Sequence, residues 1–284
     1  MREPPDLGRP VRSARGVAGG SINDAWRVEL ESGEVVFVKS RRDATAADFL
    51  AEAAGLRWLA AAGAPVPRVM EVGEAEPWIA LEWVEPGRLS AAGAERLGQQ
   101  LAELHRSGAP GHGALPPGSP DGSLRIGSAV VDVRESADWP ELYAEAMLTP
   151  LLARAVDAGS LDTGDAAAVE SVCARLAELA GPPERTSRLH GDLWGGNVLG
   201  TAGGAGVLID PAAYGGHREV DLAMLRLFGA PDERVFAAYR EAFPLADGHA
   251  ERVGLWQLLP LLGHAVLFGG SYGRAAGDAA RRYA

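Results

Sequence analysis

The sequence has 284 residues, and its 47% hydrophobic content is enough for one or two domains with a substantial core. Its 38 acidic residues outnumber 27 basic ones, and the formal charge of -11 argues against a nucleic-acid partner. The N-terminus lacks the apolar segment of a secretory signal, and polar residues and a proline interrupt the apolar stretch from Gly254 to Gly270. We therefore expect a cytoplasmic protein with no membrane partner.

The chain contains a single cysteine, Cys173, which excludes an intrachain disulfide and a cysteine-based zinc cluster. Cys173 lies at helical spacing in SVCARLAEL, and we interpret it as a structural thiol. No pattern fixes the oligomeric state, and a monomer is our expectation.

Short strand-like runs and one helix fill the chain up to about residue 84. Apolar positions recur at helical spacing from Phe49 to Leu59, and Gly63 and Pro65 predict the end of that helix. A turn-like segment at 31–34 joins the second and third strands, which predicts antiparallel pairing. The strand candidates are 11–20, 22–30, 35–40, 68–74 and 78–84.

Long helices rich in alanine and leucine dominate after a turn or hinge at 85–87. The Gly- and Pro-rich region 108–137 predicts a loop. The pattern indicates an α+β protein with two unequal lobes, a small antiparallel-sheet lobe at 1–84 and a larger, mainly helical lobe at 85–284. The helix candidates are 90–107, 138–158, 163–180, 219–229, 231–243, 249–268 and 271–283.

The strongest chemical signal is the segment HGDLWGGN, which is followed by Ile209-Asp210-Pro211. Asp192 and Asn197 lie five residues apart, so Asp192 can accept a hydroxyl proton while Asn197 binds a divalent ion. A predicted hairpin between Asn197 and Asp210 brings the second metal ligand close. Oxygen ligands of this kind suit Mg²⁺ or Mn²⁺.

The same segment also fits a glycine-rich surface turn whose Asp and Asn only satisfy backbone amides. Two upstream residues favour the chemical interpretation. Lys39 ends a strand among apolar residues, where a basic group needs an acidic or phosphate partner, and Glu52 on the following helix is a candidate. Each alone reads equally well as an ordinary surface residue.

Two further segments are candidates for nucleotide binding. Gly19, Gly20 and Ser21 lie between the first two predicted strands, where backbone amides can cover phosphates. Glu82 and Trp83 lie where the chain leaves the small lobe, and backbone groups there can pair with adenine. The first motif is short enough that a plain hairpin turn is the alternative.

These motifs resemble the fructosamine kinase family, relatives of the aminoglycoside phosphotransferases within the protein-kinase-like fold. The resemblance spans nearly the whole chain and is carried most specifically by HGDLWGGNV and DPAAYGGHREVDLAM. It implies the two-lobed fold and ATP with Mg²⁺ or Mn²⁺ as cofactors. It also implies that Lys39 binds the ATP phosphates, that Glu52 pairs with Lys39, and that Asp192 is the catalytic base.

The resemblance further implies phosphorylation of the sugar 3-hydroxyl of ketosamines, free or protein-bound, which leads to deglycation. Trp194 is a candidate substrate contact, as is His217, although core packing is the alternative for both. Asp221 is expected to anchor the catalytic loop from below. Two other functions stay open: a phosphotransferase for another amine-bearing molecule such as an aminoglycoside, and a catalytically silent nucleotide-binding module.

Overall fold

The computed structural model describes residues 3–17, 23–73, 75–126, 129–229 and 231–283. Within these ranges, every helix is too short or too polar to cross a membrane. The predicted segment 19–21 lies outside the described residues.

A five-stranded antiparallel sheet forms the first part of the chain, with the strand order β1-β2-β3-β5-β4. In β2 every second residue is buried, and Trp26, Val28 and Leu30 face one side of the sheet, as the period of a strand requires. The predicted pairing of the second and third strands is confirmed. The strands are β1 (Val11–Gly16), β2 (Asp24–Leu30), β3 (Val35–Ser40), β4 (Val69–Gly73) and β5 (Trp78–Glu82).

Helix α1 (Ala46–Ala60) joins this sheet to the rest of the molecule. A capping box between Thr45 and Asp48 fixes its N-terminus. Its first turns pack Phe49 against the sheet, whereas Trp58 and Leu59 belong to a second hydrophobic cluster built mainly from later helices. The position of α1 therefore depends on both parts of the chain.

The remainder is mainly helical, as predicted, and its largest core surrounds Tyr143 and Trp256, both fully buried. Two predicted long helices are interrupted, at Arg175 and at Gln257. The helices are α2 (Ala91–Ser107), α3 (Trp139–Glu141), α4 (Thr149–Asp157), α5 (Thr163–Ala174), α6 (Leu176–Leu179), α7 (Glu219–Leu227), α8 (Glu233–Ala242), α9 (Val253–Trp256), α10 (Leu258–Phe268) and α11 (Tyr272–Ala280), with a π-helical segment at Leu142–Leu148 and a 3₁₀ turn at Gly195–Asn197.

The prediction of a loop over 108–137 is wrong in its second half, where β6 (Ser123–Ile126) and β7 (Ala129–Asp132) form a hairpin. Arg125 on this hairpin donates to the nearby Asp121. Its Nε also donates to Oδ1 of Asp48 at 2.9 Å, although the two residues are 77 positions apart in sequence. The hairpin therefore gains support from an ion pair with α1, which local sequence does not reveal.

Among the described residues, three short antiparallel strand pairs lie outside the main sheet, and the β6–β7 hairpin is one of them. The other strands are β8 (Ser187–Leu189), β9 (Val198–Gly200), β10 (Gly206–Leu208) and β11 (Tyr214–Gly216). Strand β8 pairs with β11, and β9 pairs with β10. Both pairs flank the HGDLWGGN segment, so they fix its two ends.

Candidate active site

The β9–β10 hairpin brings the two predicted metal ligands together. Strand β9 starts directly after Asn197, and β10 ends two residues before Asp210. The backbone amide of Ile209 donates to the carbonyl of Asn197 at 3.0 Å, which closes the hairpin at this end. The hairpin that the sequence predicts is confirmed.

Asp192 is held by the side chain of Asn197. The Asn197 Nδ2 donates to the backbone carbonyl of Asp192 at 2.8 Å and to its carboxylate Oδ2 at 3.0 Å. Burial raises the pKa of Asp192 to about 7, because the cost of burying the charged carboxylate outweighs the hydrogen bond from Asn197, which lowers the pKa. A carboxylate with this pKa can accept a proton near neutral pH and release it again.

Lys39 links the sheet to the end of the hairpin. Its Nζ lies 2.8 Å from Glu52 Oε2 on α1 and 2.7 Å from Asp210 Oδ1. Burial alone would lower the pKa of Lys39, but the two carboxylates outweigh it and raise the pKa, so the ammonium stays charged. The predicted pairing of Lys39 with Glu52 is therefore present in the structure.

Two backbone positions beside the site adopt the left-handed conformation. Asp210 has φ 56°, the one non-glycine residue with positive φ in the described chain. Gly191 has φ 81°, and a Cβ there would approach the carbonyl oxygen of Ala212 to 1.9 Å. Glycine is needed at 191 for both reasons, and strain at Asp210 is a feature commonly found at functional sites.

Asp221 anchors the HGDLWGGN loop from below, as expected. Its carboxylate accepts from the backbone amides of His190 at 2.7 Å and Gly191 at 2.9 Å, and it contacts His105 Nε2 at 3.2 Å. Burial opposes ionisation of Asp221, but the interaction with His105 and the amide bonds lower its pKa. The loop is thus positioned by a fully buried carboxylate that stays ionised.

Two cavities meet at Lys39. We call the first the hinge cavity; it has a volume of about 350 Å³, and Glu82, Trp83, Phe37 and Leu199 line it. We call the second the Asp192 cavity; its volume is about 170 Å³, and it lies between α1, the β6–β7 hairpin and the loop that carries Asp192. Residues common to both walls are Asn23, Lys39 and Asp210.

Glu82 and Trp83 both line the hinge cavity, and their predicted contact with adenine stays a prediction. Trp194 is 37% exposed and packs edge-on against Phe228, with ring centroids 6.3 Å apart. It is absent from the described walls of both cavities. A role for Trp194 in substrate contact stays a prediction.

His217 is buried in the helical core and is likewise absent from the described walls of the two cavities. Its ring stacks on Trp256 at a centroid distance of 5.2 Å and lies 6.4 Å from that of Trp139. This position favours the packing alternative for His217. A substrate contact by His217 stays a prediction.

His217 also forms a group with Glu184 and Glu219, whose ligand atoms lie within 4.8 Å of one another. Both carboxylates already have a cationic partner. Glu184 accepts from Nε and Nη2 of Arg218, and Glu219 accepts from Nε and Nη2 of Arg252. We interpret this group as a structural ion-pair network and not as the metal site.

Two groups beside the site received no role from the sequence. Asn23 closes the predicted glycine segment, and only the cavity walls show that it faces the site. Arg41 and Arg125 both contact Asp48, one helical turn before Glu52 on α1. Long-range pairing of this kind leaves no local signal in the sequence. The one clue to Asp48 was its position in the capping box of α1.

Comparison with known proteins identifies relatives over nearly the whole chain. The family model for fructosamine kinase matches residues 6–283. A Thermus thermophilus relative that is assigned by name to the ketoamine kinases is 36% identical, over 89% of this chain and 87% of its own length. A Staphylococcus aureus relative with the same assigned activity is 31% identical, over 93% of this chain and 90% of its own length.

Solved structures give the same result. A Thermobifida fusca protein assigned by name to the fructosamine-3-kinases superposes with a TM-score of 0.87 at 45% identity, covering 97% of this chain and 94% of its own. A macrolide 2'-phosphotransferase from Brachybacterium faecium has a TM-score of 0.62 at 20% identity, covering 97% and 92%, and supports the fold alone. The predicted two-lobed, protein-kinase-like α+β fold is confirmed, and the chain belongs to the fructosamine kinase family, which is a family of kinases.

Proposed function

We propose that this kinase transfers the γ-phosphoryl group of ATP to the 3-hydroxyl of a ketosamine. One observation carries the proposal: Asp192 lines only the smaller cavity, whereas Lys39 and Asp210 lie in the wall that this cavity shares with the hinge cavity. The donor and the acceptor can therefore approach each other from opposite sides of Lys39. The acceptor then lies beside Asp192.

The hinge cavity suits the nucleotide. Phe37 and Leu199 offer apolar surface to a base, and backbone groups at Glu82 and Trp83 are near enough to the cavity to pair with its edge. Lys39 is held by Glu52 with its ammonium directed to the shared wall, where it would bind phosphate oxygens. We further propose that Gly19, Gly20 and Ser21 cover those phosphates.

The donors at the hairpin fit a hard divalent ion. Asn197 uses its Nδ2 to hold Asp192, which leaves its amide oxygen for a metal, and Asp210 supplies a carboxylate. We propose that Asn197 and Asp210 hold Mg²⁺ or Mn²⁺. Such an ion neutralises charge on the transferred phosphoryl group.

Asp192 supplies the acid–base chemistry in this proposal. It accepts the proton of the 3-hydroxyl as the oxygen forms its bond to phosphorus and the bond to ADP breaks. The hydrogen bond from Asn197 keeps the carboxylate directed at the acceptor, while Asp221 holds the loop that carries it. In this proposal, catalysis comes from positioning of the 3-hydroxyl by Asp192 and from compensation of the phosphate charge by Lys39 and the metal ion.

Phosphorylation at carbon 3 would destabilise the adduct. A proton leaves carbon 1, the resulting enol expels phosphate from carbon 3 with its electron pair, and water hydrolyses the remaining imine. The amine and a sugar-derived dicarbonyl are the products. We propose deglycation of this kind as the outcome, with free or protein-bound adducts as substrates.

The assay is ADP release in the presence of MgATP and a panel of fructosyl-lysine, ribulosyl-lysine, erythrulosyl-lysine and kanamycin. We expect turnover with at least one ketosamine and little with kanamycin. Turnover with kanamycin alone would instead support the antibiotic-phosphotransferase alternative, and no turnover with intact MgATP binding would support a silent nucleotide-binding module. We also propose that the boundary between the two lobes lies between residues 84 and 85.

A further inference from the structure

Asn23 lies at the junction between the two cavities. It directly precedes β2, where Asp24 pairs with Ser40 and Ala25 pairs with Lys39. Side chains alternate along a strand, so Asn23 shares a face with Ala25, which lines the hinge cavity. The carboxamide of Asn23 consequently faces the shared wall beside Lys39.

The amide oxygen of Asn23 is buried and has no hydrogen-bond partner in the described structure. A buried polar atom without a partner costs about 1–3 kcal/mol, so such atoms in an active site commonly await a ligand group. This oxygen can only accept a hydrogen bond. Phosphate oxygens at neutral pH are also acceptors, so they cannot satisfy it.

A hydroxyl or ammonium donor is therefore needed, and the acceptor molecule brings both into the Asp192 cavity, whose wall includes Asn23. A ketosamine offers neutral hydroxyl groups on the sugar carbons next to the reacting one, and a protonated amine two carbons away on carbon 1. A hydroxyl is neutral and can donate. Asp192 must contact the hydroxyl on carbon 3, and in the open-chain form carbon 2 is a carbonyl, so the hydroxyl next to the reacting one is on carbon 4.

We propose that Asn23 is a specificity-determining residue whose Oδ1 accepts a hydrogen bond from the carbon-4 hydroxyl of the acceptor sugar. This proposal rests on the ketosamine kinase function proposed above. The contact would fix the rotation of the sugar so that its 3-hydroxyl faces Asp192. Selection would then operate on the hydroxyl pattern of the sugar and not on the nucleotide.

The test combines a variant with a modified substrate. For wild type and Asn23→Ala, kcat/KM is measured at saturating MgATP on a ketosamine and on its 4-deoxy analogue. A neutral hydrogen bond is worth about 0.5–1.5 kcal/mol, so wild type should prefer the parent by about 2- to 12-fold. Asn23→Ala should lose a similar factor on the parent and show almost no preference between the two.

Four controls separate this role from a general loss of structure. A 6-deoxy analogue should affect both enzymes equally, and KM for MgATP should change less than about 2-fold. Asn23→Asp keeps an acceptor oxygen at the same position and should keep the preference for the parent, whatever its effect on kcat. Melting curves verify that each variant is folded.

A full preference for the parent sugar in Asn23→Ala would overturn the inference while leaving the kinase function intact. So would an increase in KM for MgATP with an unchanged preference, because Asn23 would then contact the nucleotide. Failure of wild type on every ketosamine would overturn the proposed function, and this inference with it.

Discussion

Replacing Asp192 by asparagine should abolish most activity and at the same time stabilise the ligand-free protein. Burial raises the pKa of Asp192 to about 7 from an ordinary 3.8. The folded state therefore favours the protonated carboxyl. The stability that the protonated Asp192 adds to the folded state is fully present below the ordinary pKa of the carboxyl. It is lost as the pH rises through 7.

The magnitude follows from this difference in pKa. Above pH 7 the ionised carboxylate costs the folded state at most about 4 kcal/mol, and partial exposure to water reduces that value. Asparagine keeps the shape and is neutral at every pH. Even about 1 kcal/mol corresponds to a melting temperature about 2–4 °C higher for a chain of this size.

The loss of activity is the second half of the prediction. Removing a general base typically costs about 10²- to 10⁴-fold in rate, while MgATP affinity should barely change. The assays are kcat by ADP release, calorimetry with MgATP, and melting curves at pH 8 and pH 4. The stabilisation should be present at pH 8 and nearly vanish at pH 4.

Asp221→Asn is the matched control, because it exchanges another buried carboxylate for the same amide. The pKa of Asp221 is lowered, so its charge stabilises the fold at neutral pH, and that contribution is lost as the pH falls through its folded value. This variant should melt lower than wild type at pH 8. The reasoning would be refuted if Asp192→Asn melted lower at pH 8 and kept near-normal turnover.

Three further outcomes are expected. Because Asp192 must be ionised to act as a base, kcat/KM for the acceptor should fall at acid pH in wild type, whereas the residual activity of Asp192→Asn should lack this fall; an equal fall in both enzymes would contradict this. Asp210→Ala should abolish turnover with Mg²⁺ present, and full activity would remove Asp210 from the metal site. Burial raises the pKa of Cys173 to about 11, which suppresses the reactive thiolate, so mild oxidant should leave activity unchanged; a loss that dithiothreitol reverses would show otherwise.

The order of motifs predicted the geometry around Lys39 because the fold determines where each element ends. Lys39 and Asp210 are 171 residues apart in sequence, yet their side chains form an ion pair. Lys39 lies near the end of β3, and Glu52 lies on the inner face of the helix that follows. The hairpin between Asn197 and Asp210 then leaves these side chains little freedom in their relative positions. Sequence could therefore place these groups.

Other features depend on contacts that sequence patterns do not encode. The β6–β7 hairpin has four residues in each strand, and it is supported by Arg125 reaching Asp48 on α1. The unpartnered oxygen of Asn23 appears only when the cavity walls are known. His217 stacks on Trp256 in the helical core, a position that the sequence left open between substrate contact and packing.

The central claim is that a phosphoryl group passes from ATP to carbon 3 of a ketosamine next to Asp192. The most direct test is to incubate the enzyme with MgATP and a ketosamine and to locate the phosphate on the product by coupled ³¹P and ¹H NMR. The account predicts phosphorus coupling to the proton on carbon 3, with no product from Asp192→Asn over the same period. Phosphate on another carbon, or inorganic phosphate with an unmodified sugar, would contradict it.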